Sequence, residues 1–85
     1  MRTLTNKEKK MVEAINGTLT NRKDYFEAVA NIMNGNNKAT NRYATAKNEI
    51  FLEDGTGINL YVRKNVIKEM RFWNRETGEM EWVKF

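Results

Sequence analysis

The sequence contains no cysteine, no histidine and no proline, and a count along it finds no serine or glutamine. Without cysteine there is neither a disulfide framework nor a thiolate metal site, and nothing indicates an oxidising compartment. Threonine is the only aliphatic hydroxyl, so most nucleophilic and general-base chemistry lacks its usual side chains. These absences predict a protein that is not an enzyme and that uses no cofactor or metal.

Length and hydropathy restrict the architecture. The chain has 85 residues, of which 40% are hydrophobic, and two cores of half that size would each be too small to offset chain entropy. We therefore expect a single domain spanning residues 1–85. Apolar runs are short, so the sequence predicts neither a membrane span nor a signal segment, and we expect a cytoplasmic protein.

Positive charge is the clearest functional signal. Fifteen Lys and Arg residues against 11 Asp and Glu give a net charge of +4, which favours polyanionic partners. The basic excess lies in residues 1–48, where nine basic residues accompany four acidic ones. Between Ala28 and Asn48 there is no acidic residue at all.

Two helices are predicted in the first part of the chain. Thr5 and Glu8 have the spacing of a capping box, and Gly17 is a plausible stop for the first helix. Thr20 or Asn21 can cap a second helix that carries a regular apolar stripe, and Gly35 would end it. Residues 36–47 read as a polar connector, which we interpret as a loop although a third helix would also suit them.

After the connector, the hydrophobic period changes to two, as in strands. One hairpin is predicted at residues 54–57, and a second at residues 76–78, where a three-residue loop would place Phe72 opposite Trp82. The resulting fold class is α+β, with two N-terminal helices packed on one face of a four-stranded antiparallel meander.

The other face of this sheet should carry four aromatic residues among charged ones, which is a large aromatic surface to leave in water. They are Phe51, Tyr61, Trp73 and Phe85. One hypothesis is an interface with an identical subunit or another protein. The other is stacking of RNA bases, with Arg63, Arg71 and Arg75 contacting phosphates. Five acidic residues expected on this face (Glu49, Glu53, Glu69, Glu79 and Glu81) weaken the RNA hypothesis.

The acid-free connector is the best nucleic-acid candidate in the sequence. It supplies Lys38, Arg42 and Lys47 for phosphate, and Tyr43 as a stacking surface. A second basic pair, Arg63 and Lys64, falls at a strand turn. With Arg71, these residues form the predicted nucleic-acid site; a soluble loop that happens to lack acids is the alternative.

The Asn- and Lys-rich, cysteine-free composition, with helices leading into a short meander, is similar to that of small accessory proteins of T4-like phages. Within that set, size and charge resemble the phage-encoded inhibitors of ToxN-type ribonuclease toxins. The resemblance implies an RNA-binding, antitoxin-like inhibitor that counters a host toxin–antitoxin ribonuclease through bound RNA. We therefore expect a homodimeric protein that binds RNA with little sequence specificity, and as an alternative an inhibitor or adaptor that binds a host enzyme through the aromatic face.

Overall fold

The structure is a computed structural model that describes residues 2–33, 42–44, 49–52 and 54–85. Within these ranges the chain forms two α-helices followed by five β-strands. The elements are α1 (Asn6–Ile15), α2 (Arg22–Met33), β1 (Arg42–Ala44), β2 (Glu49–Phe51), β3 (Thr56–Arg63), β4 (Val66–Asn74) and β5 (Met80–Lys84). The strands form one antiparallel sheet in the order β1-β2-β3-β4-β5.

The prediction of a four-stranded meander is wrong, because a further strand lies within the segment that we interpreted as a loop. Strand β1 pairs with β2, with Tyr43 opposite Ile50. Three residues are too few for a period of two to be recognised, and the flanking Asn residues disfavour strands by propensity. Pairing with β2 overrides that local preference. The rest of the connector, including Lys38 and Lys47, lies outside the described residues.

Helix α1 begins with the predicted capping box. The Thr5 hydroxyl accepts a hydrogen bond from the Glu8 amide at 3.1 Å, and the Glu8 carboxylate accepts one from the Thr5 amide at 2.9 Å. The Arg2 guanidinium pairs with the same carboxylate and donates to the Met33 carbonyl at the end of α2. Glu8 is thereby paired although it is almost completely buried, as a buried carboxylate requires.

The link between the helices is hydrogen-bonded to the far end of the sheet. Tyr25 is fully buried, and its hydroxyl donates to the Asn65 carbonyl at 2.6 Å while accepting from the amides of Gly17 and Leu19. Asn16 exchanges two hydrogen bonds with the backbone of Ile67, at 2.7 and 3.1 Å. These bonds attach the helix pair to the β3–β4 hairpin, whose turn residues Lys64 and Asn65 both have positive φ.

The core lies between the helices and one face of the sheet. The helices contribute Val12 and the buried stripe of α2, and the strands contribute alternate residues of β3 and β4. A register shift opposite Tyr61 and Val62 leaves Lys68 as an extra residue in β4. Ile67 and Met70 are therefore both fully buried although they are three residues apart. The sheet has helices on this face only, as far as the described residues show.

The β4–β5 hairpin differs by one residue from the predicted register. Phe72 lies opposite Glu81, and Arg71 lies opposite Trp82. The reason is Asn74, whose side-chain oxygen accepts from the amides of Glu76 and Thr77 while its own amide donates to Glu79. Such an Asx turn starts the loop one residue earlier, giving a loop of four residues that ends at Gly78 with φ of 75°.

This shift exchanges the faces of β5, since side chains alternate along a strand. Trp82 and Met80, which we expected on the helix side, share the opposite side with Arg71 and Trp73. Val83 and Phe85 instead pack against the helix-covered core, and the Lys9 ammonium lies 5.8 Å from the centroid of the Phe85 ring. The expected placement of Phe85 on the uncovered face is therefore wrong.

Replacing Tyr25 by Phe removes the hydroxyl and leaves its three backbone partners without that bond. We expect the free energy of unfolding to fall by about 2 kcal/mol, because buried groups that lose their partners cost about 1–3 kcal/mol. Urea denaturation followed by circular dichroism measures this change. Tyr61→Phe is the matched control. Its free energy of unfolding should stay within about 0.5 kcal/mol of the wild-type value, because Tyr61 is exposed. Equal losses in the two variants would contradict this role of the Tyr25 hydroxyl.

Candidate functional site

The sheet face opposite the helices, which we call the open face, carries three rows of cross-strand neighbours. The register defines the rows, since directly opposed residues share a face. The first row holds Glu49, Asn59, Arg71 and Trp82; the second holds Phe51, Gly57, Trp73 and Met80; the third holds Tyr61, Glu69 and Lys84.

Arg71 lies between two tryptophans at the centre of this face. Its guanidinium carbon is 5.1 Å from the centroid of Trp73 and 5.6 Å from that of Trp82, within cation–π range of both rings. The Nε atom is buried without a hydrogen-bond partner among the described residues. The Arg71 side chain forms no ion pair or hydrogen bond with a described residue, so its terminal N–H groups are available to a ligand.

The Trp73 ring lies over Gly57 on the neighbouring strand, where there is no side chain to displace it. A Cβ atom added to Gly57 would lie 2.3 Å from the Trp73 ring, so the ring covers the glycine backbone directly. The ring of Phe51 meets that of Trp73 edge to face, with 5.9 Å between centroids. Arg75, just beyond β4, places its guanidinium carbon 4.7 Å from the Phe51 centroid. Aromatic rings and guanidinium groups therefore form one continuous surface.

Much of this surface is accessible to solvent. The exposed fractions are 50% for Tyr61, 55% for Trp82 and 57% for Met80. These three account for most of the exposed large hydrophobic residues in the described parts of the chain. Large apolar side chains grouped on one face generally mark a binding surface.

A groove of about 390 Å³ crosses the open face at one end. Its lining residues are Arg22, Asn59, Leu60, Tyr61, Glu69, Arg71 and Trp82. The Arg22 guanidinium reaches it from the start of α2, donates to the Leu60 carbonyl at 3.0 Å and lies 3.4 Å from the Asn59 side-chain oxygen. The volume falls within the range of about 300–1,000 Å³ that is typical of small-ligand sites.

The observed register also changes the charge of the open face. Glu81 lies opposite Phe72 on the helix side, and Glu79 pairs with Asn74 at the loop. Glu49 and Glu69 are the acidic residues in the three rows, whereas Arg71 and Lys84 lie within the rows and Arg75 lies at their edge. Glu53 lies outside the described residues. The acidic excess that weakened the RNA hypothesis is therefore absent from the described part of this face.

The described residues among those predicted for nucleic-acid binding lie in different parts of the sheet. Arg71 is central to the open face, whereas Arg63 and Lys64 lie at the β3–β4 turn and are exposed. Arg42 and Tyr43 belong to β1, where Arg42 has Phe51 as its register partner. Lys38 and Lys47 lie outside the described residues.

Of the residues predicted for a dimer or partner interface, Phe51, Tyr61 and Trp73 lie on the open face, and Phe85 does not. Trp82, Met80 and Lys84 were not predicted for this face, because the predicted register of β5 differed by one residue from the observed one. Asn74 directly before a Gly-containing loop was the available signal, since Asn at that position favours an Asx turn.

Other kinds of site find little support in the described residues. No group of three or more Asp and Glu side chains there could hold a metal ion, and neither helix there is long and apolar enough to cross a membrane. The pKa of Asp54 is lowered; slight burial acts to raise it, but hydrogen bonds from Thr56 and the charge of Arg2 outweigh that effect. Asp54 thus stays ionised as part of a turn.

Comparisons with protein-family models, with curated proteins and with solved structures found no match to this chain.

Replacing Gly57 by Ala should disturb the open face specifically. The new methyl group would force the Trp73 ring away, and we expect the free energy of unfolding to fall by about 1–2 kcal/mol, as overpacking does. Chemical denaturation of Gly57→Ala in the wild-type and the Trp73→Ala backgrounds measures this coupling. In the Trp73→Ala background, Gly57→Ala should leave the free energy of unfolding almost unchanged. If Gly57→Ala lowers the free energy of unfolding equally in both backgrounds, Trp73 is not the group that the new methyl group displaces.

Proposed function

We propose that this protein binds single-stranded RNA on the open face. The observation that carries the proposal is Arg71 between Trp73 and Trp82, with its hydrogen-bond donors unused among the described residues. Accessible aromatic rings stack with unpaired bases, and each such contact is worth about 1–3 kcal/mol in single-strand binding. Guanidinium groups beside the rings supply charge-assisted hydrogen bonds to phosphate.

The arrangement favours single strands over duplexes. Bases in a duplex are stacked on one another and are not available to protein rings, whereas an unpaired strand can place successive bases on a sheet. Tyr61 and Trp82 are the most accessible rings on this face. Arg75 lies beside the rows and Lys84 at the end of the third row, where the backbone of a strand would pass.

The two tryptophans of the chain both lie on the open face, so intrinsic fluorescence reports on it directly. Titration with single-stranded RNA should quench this fluorescence, and anisotropy of labelled RNA should give the same affinity. Duplex RNA and duplex DNA should bind at least tenfold more weakly, and single-stranded DNA tests the contribution of the 2′-hydroxyl. Absence of quenching and of an anisotropy change at low salt would overturn the proposal.

Arg75→Ala should weaken binding and also reduce its salt dependence. Each phosphate contact to a single strand contributes about 0.7 to the slope of log affinity against log salt concentration, so we expect the slope to fall by about that amount. Lys10→Ala, on the exposed side of α1, is the matched control and should keep the wild-type slope. Equal slopes for wild type and Arg75→Ala would show that Arg75 contacts no phosphate.

The basic connector provides an independent comparison. A variant with Lys38, Arg42 and Lys47 all changed to Ala removes the site that the sequence favoured, and Trp82→Ala removes a ring of the open face. If the open face is the principal site, Trp82→Ala should reduce affinity more than the connector variant at high salt, where stacking persists and phosphate contacts weaken.

An antitoxin-like role remains part of this proposal. A protein that occupies the RNA on which a toxin ribonuclease depends would inhibit it without contacting its active site. Inhibition of a ToxN-type ribonuclease should then be lost in the same variants that lose RNA binding. Inhibition that survives loss of RNA binding would separate the two activities.

A second candidate function uses the same surface for a protein partner or a second copy of the chain. The observation that favours it is the exposure of Met80, Tyr61 and Trp82, because Met, Tyr and Trp are enriched in protein interfaces. Sedimentation with and without single-stranded RNA separates the two functions. If RNA dissociates a dimer, RNA binding and dimerisation use the same face. If the dimer persists in the presence of RNA and RNA does not quench tryptophan fluorescence, the open face is a protein interface.

A further inference from the structure

We propose that the groove at the end of the open face, lined by Tyr61, Glu69, Arg71 and Trp82 among others, receives a guanine base of the bound strand. This inference rests on the proposed single-strand binding and adds a base preference to it.

The walls of the groove come from the two strands that flank β4. Tyr61 lies on β3 opposite Glu69, and Trp82 lies on β5 opposite Arg71. Their backbones are therefore separated by two strand spacings, about 9.5 Å, across the sheet and by two residues, about 6.7 Å, along it. A flat base in contact with a ring on each side needs about 7 Å, twice the ~3.5 Å contact distance between carbon atoms. The side chains can therefore enclose a base without movement of the sheet.

The floor comes from β4 itself. Glu69 and Arg71 are two residues apart on one face of this strand, which places their Cα atoms about 6.7 Å from each other. They form no ion pair with each other or with any described residue. The Glu69 carboxylate and the Arg71 guanidinium can therefore bind the same planar ligand. Such a ligand must offer hydrogen-bond donors on one edge, for the carboxylate, and acceptors on the adjacent edge, for the guanidinium.

Guanine has that pattern of donors and acceptors. Its N1–H and N2 amino group can donate to the two oxygens of the Glu69 carboxylate, and its O6 and N7 can accept from the guanidinium fork of Arg71, the bidentate pairing that arginine makes with guanine. Adenine offers no adjacent pair of acceptors to the fork, cytosine offers a single exocyclic donor to the carboxylate, and uracil carries only its N3–H. Guanine is the base that satisfies both side chains fully.

The experiment compares short single-stranded oligouridines with one central position varied. The central base is guanine, adenine, cytosine or uracil, with inosine and 7-deazaguanine as analogues that lack the N2 amino group and the N7 acceptor. We expect guanine to bind about tenfold or more tightly than adenine, and each analogue to lose part of that preference. Equal affinity for all central bases would overturn the guanine inference while leaving single-strand binding intact, and no binding to any oligonucleotide would overturn both.

Two variants test whether Glu69 and Arg71, on the floor of the groove, determine the preference for guanine. Glu69→Gln keeps the size of the side chain but offers one acceptor in place of two, and Arg71→Lys keeps the charge but removes the fork. Both should reduce the ratio of guanine to adenine affinity, and the ratio is the readout because Glu69→Gln also removes a negative charge. Glu81→Gln, on the helix-covered side of the sheet, is the charge-matched control and should keep the wild-type ratio. A guanine preference unchanged in both floor variants would place the base elsewhere.

Discussion

The Tyr25 hydroxyl is the interaction on which the arrangement of the layers depends. It joins the link between the helices to the β3–β4 turn, at the end of the longest pair of strands. Together with the hydrogen bonds between the Asn16 side chain and the Ile67 backbone, the Tyr25 hydroxyl fixes the face of the sheet that the helices cover. Among the described residues the helices leave the other face uncovered, and Tyr61, Met80 and Trp82 there are exposed. The candidate surface is therefore a consequence of the side on which the core is closed.

On the open face, cations are held by stacking and not by ion pairs. Arg71 contacts two indole rings and Arg75 a phenyl ring, while the ion pairs in the described chain, Arg2–Glu8 and Lys23–Glu27, lie on the helical side. A guanidinium that is oriented by a ring keeps its N–H groups free, whereas one bound to a carboxylate does not. The open face therefore holds guanidinium groups against aromatic rings while their hydrogen-bonding capacity stays unused among the described residues; such preorganisation would reduce the entropy lost if a ligand bound there.

The sequence was sufficient for the capping box at Thr5 and Glu8 and for the alternation that separates Phe51 and Tyr61 from the core residues, because both depend on local spacing alone. It was insufficient where a distant partner decides. Strand β1 exists through pairing with β2, and the Tyr25 hydroxyl has partners up to 40 residues away. The register of β5 was predicted wrongly for another reason. Its signal is local, since Asn74 accepts from the amides of Glu76 and Thr77, but this turn competes with the three-residue loop that the glycine suggests and shifts every residue of β5 to the opposite face. That last error alone hid Trp82 and misassigned Phe85.

Strand β5 has a neighbour on one side only in the order of the sheet, and this has a consequence for self-association. An unpaired edge can add a strand from another molecule and so extend the sheet. In an antiparallel pair of two β5 strands, directly opposed residues would share a face. Glu81 lies on the helix side and Lys84 on the open face, so the two opposite charges would not be matched. Charged residues on an edge strand act against such pairing, and β5 is therefore protected from extending the sheet.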